Sequence, residues 1–342
     1  MKKIAIVGAG TWGTALGLML HNNGHKVSIW TWREEEATEM NKTHENKNLK
    51  DINIPIDVEI SSDLERIMSG KDILVVAVPS VAMRENLKNI ARYITKEQIV
   101  IIASKGIEEN TFMTMTDIAS ELMPENEIAA LSGPSHAEEV AKGIPTTCVI
   151  TTKKKLIAKL LQDTFMGETF RVYINPDMVG VELGGALKNI IALAAGMADG
   201  LELGDNTKAA LMTRGLLEIT KIGIAMGGDQ RTFYGLTGFG DLIVTCNSMH
   251  SRNRRMGILL GKGYSMKEAL AEVKMVVEGV NSARTAYNLA QKFDLDVPII
   301  EAVNKVLFEN VGAKEMVNML MQRRKKEELT DDIENINHVD WK

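Results

Sequence analysis

A single lysine stands in the most apolar stretch of this 342-residue chain. Between Met178 and Ala198 only Glu182, Lys188 and Asn189 are strongly polar, so the run is a buried helix or a membrane span. A mid-span lysine opposes membrane insertion by roughly 2.5–3.5 kcal/mol, and no basic cluster flanks either end. The run therefore reads as the central helix of a soluble protein. Positions three, four and seven residues from Lys188 share its face, and Gly184, Gly185, Ala192 and Ala195 there are all small. Each glycine inside a helix costs about 1 kcal/mol relative to alanine, so Gly184-Gly185 implies close approach by something else. A lysine looking across a bare patch can donate a proton. The alternative is a lysine whose stem lies on apolar surface while its amine reaches water or pairs with a glutamate.

Two later stretches offer this lysine company. Gly235, Gly238 and Gly240 precede Asp241, and if Asp241 opens a helical turn, Thr245 lies on the same face. The carboxylate either caps that helix or orients Lys188 across a cleft. Ser251-Arg252-Asn253-Arg254-Arg255 places three arginines beside Ser and Asn at a helix start. That is a receptor for phosphate or carboxylate, or else a solvated basic face.

A third motif lies at the N-terminus. Lys3 to Val7 is a short β-branched run, followed at once by Gly8-Ala9-Gly10-Thr11-Trp12-Gly13 and then by helical spacing to Gly24. Strand, glycine turn and helix in this order are the context that gives GxGxxG its meaning. Gly8 permits the turn, Gly10 admits a pyrophosphate, Gly13 lets helix and strand pack, and the helix N-terminus supplies N–H groups for the phosphates. The second strand, Lys26 to Trp30, runs into Thr31-Trp32-Arg33, and acids come only at Glu34 to Glu36. A site preferring NAD usually has Asp or Glu there. Arg33 instead suits a 2′-phosphate, which favours NADPH or indifference between NADPH and NADH.

These groups need a scaffold. Strands are expected at 72–78, 98–103, 128–131, 146–151 and 170–173, with 41–60 as loops before a short strand at 58–60. Lys105, in Ser104-Lys105-Gly106, and Ser135, in Ser132-Gly133-Pro134-Ser135, fall at carboxyl ends of strands, where open α/β sheets bind ligands. Ser135 also suits a helix cap. After Asn175-Pro176 strand signals fade, and helices are expected around 178–198, 207–226, 251–261, 266–272, 280–292, 299–308 and 313–325. The fold class is an α/β N-terminal Rossmann-type domain with a mostly parallel sheet, followed by an all-α C-terminal domain. Residues 1–175 form the dinucleotide-binding part, 176–328 the helical substrate and catalytic part, and 329–342 an acidic, loose tail.

A length of 342 residues, with 45% hydrophobic and 25% charged residues, is ordinary for a globular protein with two cores. A net charge of −5 gives no reason to expect nucleic acid. Cys148 and Cys246 lie in no metal-ligand spacing, so no metal is expected, and a reducing cytoplasm fits so few cysteines. The apolar run after Lys2-Lys3 is too short for a signal peptide.

Jointly, these motifs resemble the bacterial NAD(P)-dependent glycerol-3-phosphate dehydrogenases over residues 2 to about 322. The marks are the Gly8–Leu16 turn, Ser104-Lys105-Gly106, Ser132–Ser135, Gly185-Ala186-Leu187-Lys188-Asn189, Gly238–Leu242, Ser251–Arg255 and Val277-Glu278-Gly279. The resemblance implies interconversion of dihydroxyacetone phosphate and sn-glycerol 3-phosphate with NADH or NADPH, supplying phospholipid synthesis. It implies Lys188 as proton donor and acceptor, with Asp241 and Lys105 beside it. It assigns Lys105, Gly133, Ser135, Lys188, Asp241, Ser251, Arg252 and Asn253 to the phosphorylated triose. To the dinucleotide it assigns Thr11, Trp12, Arg33, Lys105, Ala137, Arg252, Val276 and Glu278, beside the turn glycines. A homodimer is among the expectations. Two rivals stand beside this reading: a related dehydrogenase of β-hydroxy acids, against which the arginine cluster argues, and a non-catalytic dinucleotide sensor, which leaves Lys188 without a reason.

Overall fold

The computed structural model describes residues 1–325 and residue 328; the acidic tail expected at 329–342 lies outside them. The strands are β1 (Lys3–Val7), β2 (Lys26–Trp30), β3 (Glu45–Asn46), β4 (Leu49–Asn53), β5 (Glu59–Ser61), β6 (Ile73–Val76), β7 (Ile99–Ile102), β8 (Glu127–Ser132), β9 (Thr146–Thr152) and β10 (Phe170–Asn175). Eight of them form one sheet in the order β10-β9-β8-β7-β6-β1-β2-β5. Its pairings are parallel except β8 with β9. The middle strands are buried on both faces, which is why they read as continuous apolar runs. In β1, Ile4 and Ile6 enter one core while Ala5 and Val7 enter the other; in β6, Ile73 and Val75 face the first, Leu74 and Val76 the second. A parallel sheet covered on both faces gathers its strand-end loops over one crevice.

The segment following β2 departs from expectation. A helix, Glu34–Thr43, follows β2, and residues 41–60, expected to be loops before a short strand, carry a hairpin of β3 and β4. Glu34, Glu35 and Glu36 fill the first turn of the helix, where carboxylates complement the dipole, and Ala37 and Met40, three apart, form its buried face. The hairpin has a tertiary cause. Asn46 is buried, and its Nδ2 donates to Ala9 O at 2.9 Å and Thr14 Oγ1 at 2.8 Å, tying the hairpin to the glycine turn.

After Asn175 the chain becomes helical. Asp177 caps helix Met178–Gly200 by accepting from the Gly180 N–H, and the helix is buried from Gly180 to Ala198. By length and composition it could cross a membrane, yet 89% of that window is buried inside the protein. Its small residues explain the burial. A Cβ on Gly184 would lie 3.0 Å from Thr237 O, and one on Gly185 would lie 2.6 Å from Ser132 Oγ. Further along, the helix meets helix Arg252–Gly261 backbone to backbone: a Cβ on Gly196 would lie 2.2 Å from Arg254 O, and one on Gly257 2.2 Å from Leu193 O.

Candidate active site

The strand-end loops and the helical half enclose a cavity of about 310 Å³. Its floor at one end is the glycine turn. Gly8 has φ +115°, and a Cβ on Gly13 would lie 1.9 Å from Gly8 O, so turn and helix Thr11–Asn22 close as only glycine permits. Nothing lies within 4 Å of a Cβ built on Gly10, leaving the wall open where a pyrophosphate meets the helix N-terminus. Gly10, Thr11 and Trp12 line the cavity, and the Trp12 indole is fixed by donating to Ala103 O at 3.0 Å. These residues fit a dinucleotide. Arg33 lies outside the cavity lining, just past the end of β2, with its guanidinium 4.5 Å from the ring centroid of the exposed Trp32. Ala137 and Val276 line the cavity, as does Glu278, whose carboxylate accepts from the Ser80 N–H and hydroxyl.

Lys188 lies deeper in the same cavity and is 5% exposed. Its Nζ donates to Asp241 Oδ1 at 2.6 Å and to Thr245 Oγ1 at 2.5 Å. Lys105 donates to the other carboxylate oxygen at 2.6 Å and to Gly133 O at 3.0 Å. One buried carboxylate therefore holds two ammonium groups. Asp241 begins helix Asp241–Asn247, following a π-helical turn at Leu236–Gly240; its side chain faces the lysines instead of capping the helix, and it sits behind them, outside the cavity lining. Thr245, one turn on, donates to Asp241 O at 2.6 Å. Burial pulls Lys188 down to about 8, with Lys105 assisting and Asp241 opposing. Burial pushes the Asp241 carboxyl up, but Lys105 and Lys188 outweigh it and leave it below its ordinary value. A lysine poised there can give or take a proton near neutral pH.

The arginine cluster divides. Ser251 is the N-cap of helix Arg252–Gly261, accepting from Arg254 N–H at 3.1 Å. Arg254 turns away, its Nε 2.7 Å from Asp199 Oδ2. Asn253 is held between Asn189 Oδ1 and the Gly279 N–H, each at 2.9 Å. Arg252 lines the cavity; burial lowers its pKa, while Glu278 and Glu138 oppose. Ser135 lines it too, donating to Gly133 O at 3.1 Å.

His136, Asn48 and Asn189 were not expected as site residues, and Arg255 only as part of the arginine run, yet all four line the cavity. Asn189 follows the singled-out lysine and Arg255 closes the arginine run, so both carried a signal; Asn48 needed the hairpin. His136 lies 5.8 Å from His250 between ring centroids. Burial, then the Lys188 ammonium, hold its imidazole below the ordinary value, against Asp241 and Glu138.

A lysine tuned toward neutrality, sharing one cavity with a dinucleotide turn, defines a dinucleotide-dependent oxidoreductase. The family models named NAD-dependent glycerol-3-phosphate dehydrogenase N-terminus and C-terminus match residues 3–158 and 177–318. A glycerol-3-phosphate dehydrogenase (NAD(P)+) of Fusobacterium nucleatum is 56% identical over 332 residues, covering 96% of this chain and 99% of that protein. Its counterpart in Bacillus subtilis is 48% identical, covering 97% of each. The crystal structure of glycerol-3-phosphate dehydrogenase from Coxiella burnetii superimposes with a TM-score of 0.91 at 36% identity, covering 94% of this chain and 99% of that one. The chain belongs to the NAD-dependent glycerol-3-phosphate dehydrogenase family.

Proposed function

We propose that the protein interconverts dihydroxyacetone phosphate and sn-glycerol 3-phosphate with NADPH or NADH, supplying glycerol 3-phosphate for phospholipid synthesis. The observation that carries this reading is the pair Lys188 and Lys105 lining the cavity that begins at the glycine turn, both held from behind by Asp241. When bound, the nicotinamide supplies the hydride that adds to the C2 carbonyl carbon. Lys188 stabilises the negative charge that develops on the carbonyl oxygen and gives it the proton, so that ketone, hydride and proton become the secondary alcohol. Asp241 and Thr245 aim the amine, and Gly133 and Asp241 hold Lys105 beside it. Arg252 grips the phosphate, and binding remote from the reacting carbon positions the carbonyl. Ser135, Ser251 and Asn253 shape that end of the pocket through the bonds they make to the backbone.

Residues 1–175 are read as the dinucleotide-binding part and 176–328 as the catalytic part. Two buried free thiols, Cys148 and Cys246, support a reducing cytoplasm. A homodimer belongs to the same proposal, and sedimentation tests it. The decisive assay follows cofactor absorbance with dihydroxyacetone phosphate, running NADH and NADPH separately. Oxidation of neither cofactor overturns the reading.

A further inference from the structure

Helix Arg252–Gly261 carries Arg252, Arg254 and Arg255, and among the described residues only Arg254 finds partners for its side chain: its Nε donates to Asp199 and its Nη1 to Asn247 O at 2.8 Å. Arg252 and Arg255 are three residues apart and so share a face, and both line the cavity. Neither has a hydrogen-bond or ion-pair partner among the described residues, and Arg255 Nε is buried with none. The amides of Arg252 and Asn253, at the start of the same ten-residue helix, also find no acceptor among the described residues. Two guanidinium groups thus repel each other beside two open N–H donors, while Glu278 and Glu138, the carboxylates whose charge acts on Arg252, bond to neither. Like charges held side by side are unfavourable, and a buried donor such as Arg255 Nε without an acceptor calls for a ligand. An anion with several acceptor oxygens answers both requirements.

We propose that Arg255 is a phosphate-binding residue of the substrate pocket, gripping the same phosphoryl group as Arg252. This rests on the proposed function and adds a second fork to it. A phosphate dianion presents three terminal oxygens, more than one guanidinium can satisfy, and paired arginines with helix N–H groups match it. Ser135 donates to Gly133 O and the Asn253 amide bonds Asn189 and Gly279, while Ser251, whose oxygen accepts from the Arg254 N–H, keeps its own O–H for a ligand. Lys105 and Lys188 are bonded to Asp241, so the two arginines are the cavity's cations without a partner among the described residues.

The experiment compares wild type with Arg255→Met, which keeps the stem and removes the fork, and with Arg255→Lys, which keeps the charge. The Michaelis constant for dihydroxyacetone phosphate is expected to rise about ten- to a hundredfold in Arg255→Met and less in Arg255→Lys. NADPH affinity, read by fluorescence titration without substrate, should stay near wild type, as should activity on unphosphorylated dihydroxyacetone. The thermal shift that sn-glycerol 3-phosphate confers on wild type should be lost in Arg255→Met, while the unliganded melting temperature is kept. A wild type that turns over dihydroxyacetone phosphate beside an Arg255→Met enzyme with unchanged Michaelis constant overturns the inference and spares the proposed function. Equal loss on both ketones, or weakened NADPH binding alone, also overturns it. A wild type inactive on dihydroxyacetone phosphate with either cofactor removes the proposed function and this inference with it.

Discussion

Replacing Asp241 with asparagine removes one charge that two ammonium groups share, each at 2.6 Å. In the native protein Lys188 is drawn to about 8 by burial and Lys105, with Asp241 as the main opposing charge. An opposite charge this close is worth about 1–3 pKa units, so Lys188 in the variant should lose its proton at about pH 5–7. At pH 7 roughly nine-tenths of native Lys188 is protonated, against about 1–50% in the variant. Reduction of the ketone requires the protonated amine, so protonation alone should slow it about 2- to 100-fold at neutral pH. The alkaline limb of the turnover number should move acidward by the same 1–3 units, about, and acidification should recover part of the rate. Oxidation of glycerol 3-phosphate needs the neutral amine, so its rising limb should shift in the same direction. The assay is the pH profile of turnover in both directions at constant ionic strength. A limb that stays within about half a unit of the native one would show that Asp241 does not tune Lys188, whatever it does to the rate.

Three further outcomes are expected. Lys188→Ala should lower turnover at least about 10²–10⁴-fold while leaving NADPH affinity near wild type; activity within tenfold of wild type, about, removes Lys188 from the chemistry. Arg33→Glu should shift preference toward NADH by repelling the 2′-phosphate, and an unchanged ratio of NADPH to NADH efficiency returns Arg33 to the role of a loop residue packed on Trp32. Buried Glu182 and Glu218 should make thermal stability fall as pH rises from about 5 to 8: burial pushes the first up to about 7 and the second up to about 8. A carboxyl raised on folding contributes fully below its unfolded value near 4.5, and that contribution is lost as pH climbs through the folded value. Glu218→Gln should flatten the decline, and a melting curve series with an unchanged slope counts against this assignment.

The middle of the sheet was legible because its strands are buried on both faces: β1 and β6 are apolar at every position after Lys3 and need no neighbour to be read. The glycine turn was legible because steric demand at Gly8 and Gly13 admits no other residue. Helix Glu34–Thr43 and the β3–β4 hairpin were not, since one shows only two buried residues and the other is held by Asn46 reaching a turn 37 positions away. The same limit applied to Asp241. From sequence its carboxylate could cap a helix or serve Lys188, and a separation of 53 positions gave no pattern to choose. The choice was made by Gly184, which lets the turn at Thr237 and Gly238 lie on the lysine helix. Arg254 and Arg255, adjacent in sequence, were indistinguishable until Asp199 claimed the first.

The glycine contact between helix Met178–Gly200 and helix Arg252–Gly261 makes the pocket a gauge. Lys188 rides on one helix and the cavity arginines on the other. Between the two, Gly196 meets Arg254 O and Gly257 meets Leu193 O with no side chain to compress. Neither helix can slide without driving a carbonyl into a backbone, so main-chain contact fixes the separation of the two helices, and Asp241 and Thr245 fix the ammonium on the first. Such a rigid interval selects by the number of bonds separating carbonyl from phosphate. A homologue with one more carbon in that link would carry its carbonyl past the lysine, and one with a carbon fewer would stop short of it. Variation beyond the carbonyl, away from the phosphate, lies outside the measured interval and would be judged only by the space that remains.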